Sequence, residues 1–131
     1  MASPDFSFPK KEKLCSQKVI EELFSSGRSF IKYPLRIVFM PREEQPDTRV
    51  KVLVSVSKRR FKRAYKRNLL KRRIREAYRL NKHHIFPLLE KNNTNIVIAF
   101  VYLPMEILPY SEIEKAMTAT LESLKTKLSL E

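Results

Sequence analysis

The chain has 131 residues, 43% of them hydrophobic, and a formal charge of +13 from 27 basic and 14 acidic side chains. That length suits one domain around one core, and the absence of any apolar run near about 18 residues excludes a helical membrane span. The one cysteine, Cys15, can form no internal disulfide, and the opening MASPDFSFPKKEK lacks the apolar centre of a secretory signal, so a reducing cytoplasm is the expected location.

Residues 1–13 are polar, hold Pro4 and Pro9, and read as an irregular arm ahead of a single domain over 14–131. Ser16 is placed to cap a short helix in which Val19, Ile20, Leu23 and Phe24 share a face. Gly27, the only glycine, is expected to end that helix in a left-handed conformation. Residues 35–40, between Pro34 and Pro41, read as a strand. The turn-rich PREEQPD, with Glu43, Glu44 and Asp47, leads to a second strand over 49–57, in which Val50, Val52, Val54 and Val56 alternate. These two strands are expected to pair as an antiparallel hairpin.

The next stretch dominates the chain. From Lys58 to Arg79 there are twelve Lys or Arg residues against one acid, Glu76, a local +11 of the total +13. Phe61, Tyr65, Leu70, Ile74, Ala77 and Tyr78 interrupt the charge at intervals that suit a packed helix rather than a solvated tail. At about 3.6 residues per turn, Asn68, Lys71, Arg72, Arg75 and Arg79 fall on one side, opposite Leu70, Ile74 and Ala77, with Tyr78 at the edge. Arginine forks match phosphate oxygens with paired hydrogen bonds. Lys58, Arg59, Arg60, Lys62, Arg63 and Lys66 continue the field upstream. Glu76, three residues before Arg79 and four after Arg72, is expected to hold an arginine in place. Charge gathered into one element points to a nucleic-acid partner.

After it, KHHIFPLLEKNN reads as a broken connection around Pro87. His83 and His84 are adjacent, so they are expected to point apart and to make no helical metal pair. Residues 95–102 (NIVIAFVY) are apolar throughout, as a strand buried on both faces requires. Pro109 and Ser111 open the last helix, with Ser111 and Glu114 in capping-box spacing and Ile113, Ala116, Met117, Thr120, Leu121, Leu124 and Leu128 inward. The order α-β-β-α-β-α gives a single two-layer α+β domain with a β-α-β unit at its centre. Catalytic signals are missing: one glycine allows no Gly-rich phosphate loop, and the acids are scattered, whereas metal-assisted hydrolysis needs converging carboxylates. No catalytic residue and no metal ligand is assigned.

The run from Arg67 to Tyr78, RNLLKRRIREAY, with its approach SVSKRRFKRAYKRN, resembles the RNR signature of the bacterial ribonuclease P protein component. Leu14 before the first helix, Phe24 near its end and Gly27-Arg28-Ser29 after it agree as well, and the likeness runs from about Leu14 to Leu124. Leu69 stands where the signature has an arginine. The resemblance implies a left-handed β-α-β crossover, against the usual right-handed preference. It also implies a ribonucleoprotein endonuclease that matures the 5′ end of tRNA. Its catalytic RNA would do the hydrolysis and hold the Mg²⁺, with no metal on the protein alone, no membrane and no obligate protein partner.

On this reading the RNA-binding residues are Lys58, Arg59, Lys62, Arg63, Lys66, Arg67, Asn68, Lys71, Arg72, Arg75 and Arg79. The precursor's 5′ leader would lie in a cleft at Ile20, Phe24, Arg36, Val38, Lys51 and Ser55. Arg36, Val38 and Met40 on one strand face, with Lys51, Leu53, Ser55 and Ser57 on the next, have the mixed polarity of an open, RNA-facing sheet. Ile20 and Phe24 sit four apart on a helix, and such pairs are core residues more often than ligand contacts. A ribosomal or general RNA-binding protein would share the charge without the signature spacing. A DNA-binding regulator would want a second short helix against the basic one, and a stand-alone nuclease would need clustered acids.

Overall fold

The computed structural model describes residues 12–42 and 49–129. In chain order they form α1 (Gln17–Ser26), β1 (Arg28–Lys32), β2 (Leu35–Arg42), β3 (Val50–Ser55), α2 (Ala64–Asn81), a 3-10 turn (Lys82–His84), α3 (Phe86–Lys91), β4 (Asn95–Tyr102) and α4 (Tyr110–Ser129). The expected α+β class and element order hold, with β1 and α3 added. Glu43, Glu44 and Asp47 of the expected turn, and most of the expected N-terminal arm, lie outside the described residues.

The expected hairpin between the two valine-rich strands does not form. The sheet order is β1-β2-β4-β3, so β4 lies between β2 and β3, antiparallel to the first and parallel to the second. The reason is burial: Ile96, Val97, Ile98, Ala99 and Phe100 are all fully buried, and only a central strand covers both faces of such a run. β1, absent from the sequence reading, pairs with β2 from Arg28↔Phe39 to Lys32↔Leu35. Pro41 does not end β2, which continues to Arg42. It lies past the end of β1, where β2 has a neighbour on one side only and a residue without an N–H is tolerated.

One sheet face carries the main core. Leu35, Ile37, Phe39, Val50, Val52, Val54, Ile96, Ile98, Phe100 and Tyr102 meet Leu70, Ile74, Ala77 and Tyr78 of α2 and the inward face of α4. All seven residues expected inward on α4 are buried. Tyr78 is fully buried rather than at the edge, its ring 5.8 Å from that of Phe100. The opposite face is partly covered by α1, where Leu14, Leu23, Val38, Val97 and Ala99 form a second, smaller cluster.

Several local expectations are corrected. Gly27 is extended (φ −73°, ψ 157°), not left-handed; its N–H donates to the Leu23 carbonyl at 2.8 Å. Glycine is needed there for clearance, since a Cβ would run into that carbonyl and lie 3.0 Å from Val38 Cγ1. Among the described residues the left-handed one is Asn93 (φ 50°), just past the end of α3, where the Thr94 N–H reaches back to the Leu89 carbonyl at 2.9 Å. In α4, Ser111 lies inside the helix, and the Pro109 carbonyl accepts from Glu112 N at 3.1 Å in place of a capping box. The His83 and His84 rings do not diverge: their centroids are 4.3 Å apart. Glu12 and Lys13, expected in the arm, are anchored. Glu12 is buried against Lys82, while Lys13 bridges Val52 and the Leu14 N–H donates to the Val52 carbonyl at 2.9 Å, extending the sheet beyond β3.

Candidate nucleic-acid interface

The basic run is helical only from Ala64. Residues 58–63 form a turn, because Phe61 is drawn into the core (5% exposed) and packs 6.0 Å from the Tyr102 ring. The Ser57 hydroxyl accepts from the N–H groups of Arg59 (3.2 Å) and Arg60 (3.4 Å), and Phe61 N–H donates to the Ser57 carbonyl (3.0 Å). Arg67 ties this turn to α2, donating to the carbonyls of Phe61 (2.7 Å) and Lys62 (2.9 Å). Its guanidinium is therefore in structural use. Arg79 is paired as expected, with Nε 3.1 Å from Glu76 Oε2. That bond holds the Glu76 carboxyl below its ordinary pKa and raises that of Arg79.

The other candidates are differently placed. Lys58, Arg59, Lys62, Arg63, Asn68, Arg72 and Arg75 are exposed, and Lys66 and Lys71 are half-buried. Among the described residues none of these nine side chains has a hydrogen-bond or ion-pair partner. Uncompensated cations crowded on one turn and one helix face repel each other in the folded chain, a penalty that a polyanion removes. Arg73, on the same helix, is spent internally on the Leu108 carbonyl at 2.9 Å.

Register sets the second surface. On the sheet face under α1, Met40, Val97 and Lys51 align in one row, Val38, Ala99 and Leu53 in the next, and Arg36, Val101 and Ser55 in the third. The two strand faces seen in the sequence therefore share one side of the sheet but are separated by β4. α1 covers the first two rows. Val38, 1% exposed, is floor beneath α1 and offers no contact surface. The third row stays open: Arg36 is exposed, Val101 and Ser55 are half-buried, and Phe24 at the end of α1 is 43% exposed. Ile20 and Lys51 are half-buried at the margin. Ile20 packs against the cluster under α1 while Phe24 is exposed, so the two do not act as a core pair; Leu23 is the fully buried residue of α1. The sequence reading missed Val101, whose apolar neighbours marked the whole strand as buried.

The family profile described as Ribonuclease P matches residues 8–125. The chain is 40% identical over 118 residues to the ribonuclease P protein component of Porphyromonas gingivalis, covering 90% of this chain and 86% of that one. It is 34% identical over 105 residues to that of Chlorobium phaeobacteroides, covering 74% and 72%. Among solved structures, the Staphylococcus aureus RNase P protein superposes with a TM-score of 0.70 at 20% identity, over 87% of this chain and 95% of that one. The RNase P protein from Thermotoga maritima gives 0.68 at 19%, over 86% and 96%. The element order and the β3–α2–β4 crossover agree with these folds.

Proposed function

Because the chain belongs to the ribonuclease P protein family, we propose that it binds a catalytic RNA through α2 and the 58–63 turn and holds the 5′ leader of precursor tRNA along the open sheet row beside α1. A role in 5′ processing of tRNA, as the protein part of an endoribonuclease, comes with the family. The observation that carries the finer reading is the set of nine polar and cationic side chains, on the 58–63 turn and α2, that have no partner among the described residues. Arg72 and Arg75 on the exposed side of α2 suit phosphates of a folded RNA. Phe24, Arg36, Val101 and Ser55 suit a single strand: an aromatic face for a base, a guanidinium for its phosphate and a hydroxyl for a sugar or base edge.

The hydrolysis and the Mg²⁺ ions are assigned to the RNA. This chain's own work is to neutralise phosphates that would otherwise repel and to orient the leader, so that substrate binding gains where mature product cannot.

Reconstitution with the RNA subunit of the same host tests the reading. Leader release at low Mg²⁺ should depend on both components, and the holoenzyme should bind precursor more tightly than mature tRNA. Equal affinity for the two would remove the leader surface. Processing by protein and Mg²⁺ without RNA would overturn the assignment of catalysis to the RNA.

A further inference from the structure

Ahead of α1 the chain crosses from one face of the sheet to the other in three residues. Glu12, 4% exposed, lies on the α2 side, its carboxylate oxygens 2.9 and 3.0 Å from Nζ of Lys82, the residue that follows α2 and is 1% exposed. Lys13 passes the edge of β3, bridged in parallel to Val52, and the Leu14 N–H donates to the Val52 carbonyl at 2.9 Å. Leu14 is buried on the other side, with Leu23 of α1, Val38, Val97 and Ala99. Only Cys15 and Ser16 separate it from Gln17, so the start of α1 stays within about 11 Å of Leu14.

α1 is otherwise lightly held. Leu23 alone among its residues is fully buried, whereas α2 buries Leu70, Ile74, Ala77 and Tyr78. Its ion pair to β2, Arg42 Nη1 to Glu22 Oε2 at 3.3 Å, is partly exposed on both partners, and such pairs hold little. A few apolar contacts let a helix slide or tilt. A buried carboxylate on an ammonium does not, because any shift leaves two desolvated charges apart. Replacing such a pair by uncharged groups is often neutral for stability, so what it supplies specifically is placement. The element placed here is α1, which carries Ile20 and Phe24 to the margin of the open row.

We propose that the Glu12–Lys82 pair is a positioning element for the leader surface: it locks the chain ahead of α1 to the end of α2, on the opposite face of the sheet, and so keeps Phe24 beside Arg36, Val101 and Ser55. Both residues are buried and act through α1, not by touching RNA. The proposal rests on the leader-binding reading above and adds what holds that surface in place.

The test uses Lys82→Met with Glu12→Gln, which removes both charges and keeps side-chain bulk. In the free protein, at a temperature where wild type and variant are both folded, hydrogen exchange should show α1 amides opening about tenfold more often in the variant, with β4 and α4 protected as in wild type. In the reconstituted holoenzyme the variant should bind leader-bearing precursor about tenfold more weakly, with mature tRNA and assembly on the RNA subunit unchanged. Unchanged exchange in α1 would overturn the proposal. A rise shared equally by α1, β4 and α4 would make the pair a general stabiliser and overturn it too. So would a loosened α1 with wild-type leader binding, or an equal loss with mature tRNA; the first of these leaves the leader surface standing. A wild-type holoenzyme with no preference for leader-bearing precursor would sink both readings. The wild-type protein gives a check that needs no variant: the Leu14 amide should exchange no faster than that of Ile20, which is bonded to the Ser16 carbonyl at 3.0 Å in the first turn of α1. A Leu14 amide that opens far more readily would show that α1 stays in place without residues 12–14, and would overturn the proposal.

Discussion

Phe24 shows how one residue's exposure changes what its removal should do. Fully buried, a Phe→Ala change would cost about 3–5 kcal/mol. At 43% exposed it should cost about 1 kcal/mol or less, so Phe24→Ala should fold and melt nearly as wild type. Its effect should fall on leader-bearing precursor tRNA, whose binding loses a stacking face worth about 1–3 kcal/mol, with mature tRNA unaffected. Thermal melts beside binding of the two RNAs check this, and a large fall in melting temperature with normal leader binding would return Phe24 to the core. Lys82 is the opposite case, a lysine 1% exposed whose Nζ lies 2.9 and 3.0 Å from the Glu12 carboxylate oxygens and 5.7 Å from the Phe86 ring. Lys82→Ala leaves that carboxylate buried alone and should destabilise by about 3–5 kcal/mol in urea unfolding. Lys82→Met combined with Glu12→Gln should recover much of this loss, since no charge then remains buried. A single variant as stable as wild type would mean that the pair does not anchor the chain ahead of α1.

The 3-10 turn after α2 carries a pH dependence. His83 is half-buried, and burial first, then the neighbouring His84, lowers its pKa from 6.5. The unfolded chain therefore takes up a proton more readily than the folded one. The stability this group contributes is complete above the unfolded value and is lost as pH falls through the folded one. Melting temperatures followed from about pH 8 to about pH 5 should decline below roughly pH 6.5, and His83→Gln should flatten that decline. An unchanged acid slope in the variant would place the titrating group elsewhere. In α2, adjacent arginines have different duties. Arg67 and Arg73 bind backbone carbonyls of two loops, whereas Arg72 and Arg75 face solvent without partners among the described residues. Helical spacing separated the exposed face from the apolar one but could not show that these two arginines turn inward, because their carbonyl partners sit in segments brought near by the fold.

At the scale of the molecule, charge predicts a steep salt dependence. Binding to the RNA subunit should weaken by several log units per log unit of salt, and Arg72→Ala with Arg75→Ala should reduce the slope by about 1.5 if each contacts one phosphate. The double variant should keep the wild-type melting temperature, while Arg67→Ala should lower it by freeing the 58–63 turn. A flat salt response in the wild type would mean that the basic face is only solvated. The sequence by itself determined the helix and strand segments other than β1 and α3, the inward faces of α2 and α4, the charge concentrated before Arg79 and the signature that names the family. These are local properties: periodicity, capping and composition are read over a few neighbouring residues. The tertiary structure decided which strands pair, which row of the sheet stays open, and that Val38 is floor while Phe24 is surface. It also decided that Gly27 is there for clearance and that Lys82 lies buried on Glu12. Each of these depends on segments far apart in the chain competing for the same apolar cover. β4 won the central position because it alone is apolar on both faces, and its insertion between β2 and β3 set the register from which the open row follows.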